Sequence, residues 1–153
     1  MILFLDFDGV AHPEPCRADE EFCTLHLIED VLRDFSVVEI VISSSWREHF
    51  SIDELRAKFR ADIGSRIVGF TPVVRKLTER WTPPCADAVR EAEVLIWMKA
   101  NRPWGTPWLA IDDRPQWFTP ECRNLLVTDR KWGFRFDQVD DLRRMISERL
   151  ETT

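Results

Sequence analysis

Ile2-Leu3-Phe4-Leu5 sets four apolar residues in a row, and Asp6-Phe7-Asp8-Gly9-Val10 follows at once. A short unbroken run of β-forming residues reads as a strand buried on both faces. Asp6 and Asp8 share parity, so both carboxylates point to one side for as long as the chain stays extended. Gly9 then lets the backbone leave at angles that other residues resist. A buried strand that ends this way either caps its own turn or holds a cation.

The rest of the chain repeats strand and helix. Residues 18–35 place Phe22, Leu25, Ile28, Val31, Leu32 and Phe35 on one helical stripe, which Ser36 breaks. Val37 to Ile42 is a second, β-branched strand that empties into Ser43-Ser44-Ser45-Trp46-Arg47. Serines there can cap a helix or offer donors to an anion. A short helix is expected over 51–60, an edge-like strand over 66–70, and an irregular proline-bearing connection over 71–85. Residues 86–100 read as a helix stopped by Arg102-Pro103-Trp104-Gly105-Thr106-Pro107. Trp108 to Ile111 forms a strand running into Asp112-Asp113, residues 125–127 another, and 138–150 a closing amphipathic helix. Alternation of this kind predicts one α/β domain over 1–153: a Rossmann-like three-layer α/β/α sandwich on a mainly parallel five-stranded sheet.

In a parallel sheet the strand ends carrying Asp6 and Asp8, Ser43, and Asp112 and Asp113 fall on one edge. Four carboxylates gathered there repel. At about 4 Å and an effective dielectric near 20, each pair costs about 4 kcal/mol. The cluster therefore requires a bound cation or raised pKa values. All-oxygen ligation suits Mg²⁺, which keeps several waters and accepts a phosphate oxygen.

Composition narrows the partners. With a net charge of −6 and a pI near 5.1, the chain has no basic field for non-specific nucleic-acid binding. No apolar run approaches the roughly 18 residues of a membrane span, and no leader is visible. The 4 cysteines are too unevenly spaced for a secreted disulfide framework, so the cytoplasm is expected.

Asp6-Phe7-Asp8-Gly9-Val10, Val41-Ile42-Ser43-Ser44-Ser45-Trp46-Arg47 and Ala110-Ile111-Asp112-Asp113 resemble the first, second and fourth motifs of the haloacid dehalogenase (HAD) superfamily of phosphohydrolases. Arg90, Glu93, Val94 and Trp97 further resemble a helix motif of small HAD domains, some attached to RNA-repair proteins. The resemblance implies a Mg²⁺-dependent phosphatase. In it Asp6 is the nucleophile, Asp8 the acid/base and Ser43 a ligand of the phosphoryl oxygens. Asp6, Asp112, Asp113 and the backbone carbonyl of Asp8 hold the metal. The third motif usually carries a lysine; here Arg90 takes its place in the first turn of the helix, with Lys99 as the alternative nine residues on. Ser44, Arg47 and Arg114 are further candidates for substrate contact. A catalytically silent domain of the same fold that binds a phosphorylated partner is the alternative reading.

The intervals from Asp8 to Ser43 and from Ser43 to Arg90 leave no room for a cap domain with a core of its own. In this superfamily an open site goes with large phosphorylated substrates, such as a protein or a nucleic-acid end. His12, Cys16, Cys23 and His26 are ligand types suited to zinc, though their spacing is not that of a familiar finger. Trp46, Trp104 and Trp132 are candidates for the wall of a substrate groove.

Overall fold

The computed structural model describes residues 1–74 and 88–151. Its five strands are β1 (Ile2–Leu5), β2 (Glu39–Ile42), β3 (Ile67–Phe70), β4 (Trp108–Asp112) and β5 (Leu125–Val127). They lie in the order β3-β2-β1-β4-β5, and all four pairings are parallel. The first residues of the chain thus form the central strand, as their two-sided apolarity requires.

The period-2 alternation of the strands divides the core into two layers. Leu3, Leu5, Ile40, Ile42, Leu109 and Ile111 face one side. There they meet α1 (Leu25–Arg33), α2 (Ile52–Arg56), α3 (Ala61–Gly64) and α5 (Val139–Glu151). Ile2, Phe4, Val41 and Ala110 face the other side, against Val94, Trp97 and Met98 of α4 (Val89–Asn101) and against Phe118. Phe4 is held there edge-on by Trp97 and Trp108, at centroid distances of 5.7 and 6.0 Å. No separate cap stands among the described residues, and none of their helices is long and apolar enough to cross a membrane.

Two helices differ from their sequence pattern. The stripe over 18–35 breaks into a 3₁₀ turn, Ala18–Glu20, and the later α1, because Phe22 adopts a left-handed φ of +61°. The pattern over 51–60 becomes α2 and α3. Arg60 caps α3 by donating its N–H to the buried Glu29 carboxylate at 2.7 Å, a tertiary contact without local signature. The expected connection over 71–85, like the start of the predicted 86–100 helix, lies largely outside the described residues.

Candidate active site

Strand register places the site. Leu5 pairs with Ile42 on one side and Ile111 on the other, so Asp6, Ser43 and Asp112 stand at one level at the carboxyl edge of the sheet. The Asp6 N–H still donates to the Ile111 carbonyl (3.2 Å) and the Ser43 N–H to that of Leu5 (3.0 Å). Immediately afterwards the chain turns, with the Val10 and Ala11 N–H groups both donating to the Phe7 carbonyl. The loop is pinned from behind by the buried Thr128 hydroxyl, which donates to the Gly9 carbonyl at 2.7 Å.

Gly9 is required twice over. Its φ is +73°, and a Cβ would stand 2.6 Å from Asp113 Oδ2 and 2.9 Å from Asp113 Cβ. Gly9→Ala should therefore cost about 1–3 kcal/mol in backbone strain and displace Asp113. The expected result is a melting temperature lowered by several degrees together with weaker Mg²⁺ binding. Thermal melts with and without Mg²⁺ measure both, and a wild-type response would refute the close approach.

Asp6, Asp112 and Asp113 each offer an oxygen within 4.8 Å of the others. One oxygen of Asp6 accepts the Phe7 N–H (2.8 Å), and Oδ1 of Asp112 accepts the Arg114 N–H (2.9 Å). Asp112 Oδ2 and both oxygens of Asp113 are buried without a hydrogen-bond donor. Burial pushes the Asp112 carboxyl up to about 8, with the Asp6 charge adding to the effect. It pushes Asp113 up to about 6, again with a smaller contribution from Asp6. Asp6 is raised as well, first by burial, against the attraction of Arg90. Orphaned carboxylate oxygens are rare in native interiors. Three of them in a group with raised pKa values fit a hard divalent cation with oxygen ligands.

Four carboxylates were expected to converge, but only three do among the described residues. The side chain of Asp8 is engaged elsewhere, because the strand ends at Leu5 and the parity argument lapses in the turn that follows. Asp8 Oδ1 accepts from His12 Nε2 (3.0 Å) and Trp46 Nε1 (3.1 Å). His12 Nδ1 in turn accepts the N–H of Phe22, which leaves the ring proton on Nε2 and makes His12 a donor to Asp8. These hydrogen bonds, that of His12 foremost, hold the Asp8 carboxyl below its ordinary value. His12 thus serves Asp8 and not a zinc site. His26 is turned to the Cys23 carbonyl, and the described residues bring no zinc-type group together.

A buried chain of charges backs the carboxylates. Arg90 sits in the first turn of α4, with Nε 3.3 Å from Asp112 Oδ2 and its guanidinium over the Trp117 ring at 5.1 Å. Glu93, one turn on, pairs with Arg90 (3.5 Å) and with Arg47 (2.9 Å), and also accepts the Val74 N–H. Arg47 was expected at the substrate. Its guanidinium is instead consumed inside the protein, donating to the carbonyls of Ser43, Ser44 and Thr71 as well as to Glu93. Strand ends leave carbonyls that need donors, and Arg47 supplies them. Ser44 is likewise fully buried, and its hydroxyl accepts the Trp46 N–H. Ser43 is buried beside it.

Lys99 lies in the last turn of α4 and lines a different cavity. The nine-residue separation from Arg90 amounts to about 13 Å along the axis at about 1.5 Å per residue. Arg90→Ala should accordingly reduce turnover by roughly 10²-fold or more, by analogy with lost transition-state donors. It should also cost on the order of 3 kcal/mol, because buried carboxylates lose their partner. Lys99→Ala should stay within about 0.5 kcal/mol of wild type, as surface changes do, with turnover unchanged. The opposite pattern of turnover would exclude Arg90 from the site.

Arg114 stands at the rim, 3.9 Å from Asp113 and 3.8 Å from Glu14, with its guanidinium 4.6 Å from the Trp117 ring. Arg130 reaches the same two carboxylates, at 4.0 and 2.5 Å. Glu14, Trp117 and Arg130 carry no spacing signal that marks them from sequence; loops far apart in the chain bring them together. Of the three candidate tryptophans, Trp46 touches Asp8, Trp104 lies at the far end of the sheet, and Trp132 is half exposed beneath the Lys131 ammonium.

Comparison with characterised proteins and with solved structures returned no match. A family model does match: residues 2–139 fit the description "HAD domain in Swiss Army Knife RNA repair proteins", and the chain belongs to that family of HAD domains.

Proposed function

We propose that this domain is a Mg²⁺-dependent phosphatase that hydrolyses phosphomonoesters through an aspartyl-phosphate on Asp6. The observation that carries this reading is the group of three carboxylates, Asp112 and Asp113 with buried donorless oxygens beside Asp6, set next to Arg90 at the carboxyl edge of the sheet. Asp6, Asp112 and Asp113 would hold the cation, which supplies charge neutralisation for the phosphoryl group. Asp6 attacks phosphorus, and the bond to the leaving oxygen breaks. Asp8 gives that oxygen its proton. It then takes a proton from the water that hydrolyses the acyl phosphate and releases it to solvent, so the enzyme returns to its starting state. The hydrogen bonds from His12 and Trp46 favour the ionised form that the second step needs. For the first step the incoming phosphoryl dianion raises its proton affinity, and Asp8 takes up from solvent the proton that it gives to the leaving oxygen. Ser43 and Arg90 bind the phosphoryl oxygens, and Arg114 meets the substrate at the rim.

The absence of a separate cap among the described residues favours a large phosphorylated substrate over a metabolite enclosed by the protein. The free cysteines Cys16, Cys23 and Cys122 suit a reducing compartment such as the cytoplasm. The deciding experiment is turnover of an aryl phosphate with Mg²⁺, followed by mass analysis of the trapped enzyme. Phosphate release with one phosphoryl group on Asp6 is expected. No turnover on aryl phosphates, phosphopeptides or phosphorylated oligonucleotide ends would leave the catalytically silent domain as the better account.

A further inference from the structure

We infer that the protein carries a second ligand site, at the opposite end of the sheet from the carboxylates, for a flat aromatic molecule bearing an anionic group, such as a purine mononucleotide. The site begins with the turn Pro103-Trp104-Gly105-Thr106. The N–H and the hydroxyl of Thr106 both donate to the Pro103 carbonyl, at 3.2 and 2.9 Å. Gly105 has a φ of +85°, the conformation that the third residue of such a turn demands. A closed turn therefore holds Trp104 in solvent, and its indole is fully exposed, at 103 % of the reference value.

Behind Trp104 lies a cavity of about 880 Å³, within the range of about 300–1,000 Å³ typical of small-molecule sites. Its walls are apolar: Leu95 and Met98 from α4, and Trp108 at the start of β4, locked edge-on against Phe4. Its charged groups are of one sign: among the described residues Lys99, Arg102 and Arg149 line it and no carboxylate does, in a chain whose net charge is −6. Arg149 is spent on the carbonyls of Trp108, Arg123 and Met145 and on the Asn124 side chain. Arg102 keeps one edge on Glu39 at 2.7 Å, outside the lining, while Lys99 is exposed in the last turn of α4. An indole exposed for stacking, an apolar recess and the exposed Lys99 ammonium lining it match an aromatic ring with an attached anion. Trp108 and Asp112 stand at opposite ends of β4, about 13 Å apart at about 3.3 Å per residue. A mononucleotide in this cavity does not reach the carboxylates, and the inference is independent of the phosphatase reading.

The test is calorimetric titration of the protein, in chelator, with adenosine 5′-monophosphate, adenosine and inorganic phosphate. The mononucleotide should bind more tightly than either fragment. Trp104→Ala should weaken it about tenfold, the scale of lost base stacking. Lys99→Gln should weaken it and flatten its salt dependence. Asp6→Asn should leave it unchanged, and Trp104→Ala should leave Mg²⁺-dependent turnover unchanged. Four results would overturn the inference: no binding of the mononucleotide; equal affinity for adenosine; binding that survives Trp104→Ala but is lost in Asp6→Asn; or a dimer in sedimentation that Trp104→Ala dissolves, which would make this face an interface between copies.

Discussion

Asp6→Asn should bring turnover down by about 10⁴-fold or more, the scale seen when a covalent nucleophile is removed, while making the cation-free protein more stable. The two effects have one origin. Asp6 is buried among other carboxylates, and its raised pKa means that the ionised group strains the folded state near neutral pH. The amide keeps the shape and removes the charge. It keeps an oxygen for the Phe7 N–H as well. Asp8→Asn should behave differently: its carboxyl is half-buried and satisfied by His12 and Trp46. That variant should slow turnover severely yet allow the phosphoenzyme to build up, because the water-activating base is gone while the nucleophile remains. Intact mass after a pulse of substrate separates the two. A phosphoryl group trapped on any residue other than Asp6 would reassign the nucleophile.

The fold was legible because its signals are local and redundant. Ile2 to Leu5 reads as a doubly covered strand from four residues, and the acids or serines that follow β1, β2 and β4 punctuate the carboxyl edge of the sheet. Less legible was anything decided by a turn or by a distant partner. Asp8 shares parity with Asp6 only on an extended chain, and the chain bends at Phe7. Phe22 fits a helical stripe by spacing, but its left-handed backbone aims its N–H at His12 instead. Arg47 has the composition of a phosphate ligand, yet the carbonyls of Ser43, Ser44 and Thr71 and the Glu93 carboxylate claim it. The motif Arg90-x-x-Glu93 is explained by the same contacts: Glu93 ties Arg47, which braces the β2 end, to Arg90, which faces Asp112. A buried charge must be paired, and the sequence shows the charges without showing the pairs.

Chelation should abolish activity, and the stability of the cation-free protein should fall as the pH rises. The sign follows from the three carboxyls. Below their ordinary value of 3.8 they are protonated in both folded and unfolded chains, and nothing is lost. As the pH rises the unfolded chain ionises first. The folded chain keeps its protons until about 6 at Asp113 and about 8 at Asp112, so stability drains away across roughly pH 4 to 8. Mg²⁺ should reverse this by binding the ionised, folded form alone. At about one hundred times its Kd it adds about 2.7 kcal/mol, which for a chain of this size raises the melting temperature by about 5–10 °C. The shift should be largest near pH 8 and vanish near pH 4, where protons occupy the ligands. Melting curves at the two pH values, with Mg²⁺ and with chelator, read it directly. Full turnover in excess chelator, or a shift of equal size at both pH values, would mean that these three carboxylates are not where the cation binds.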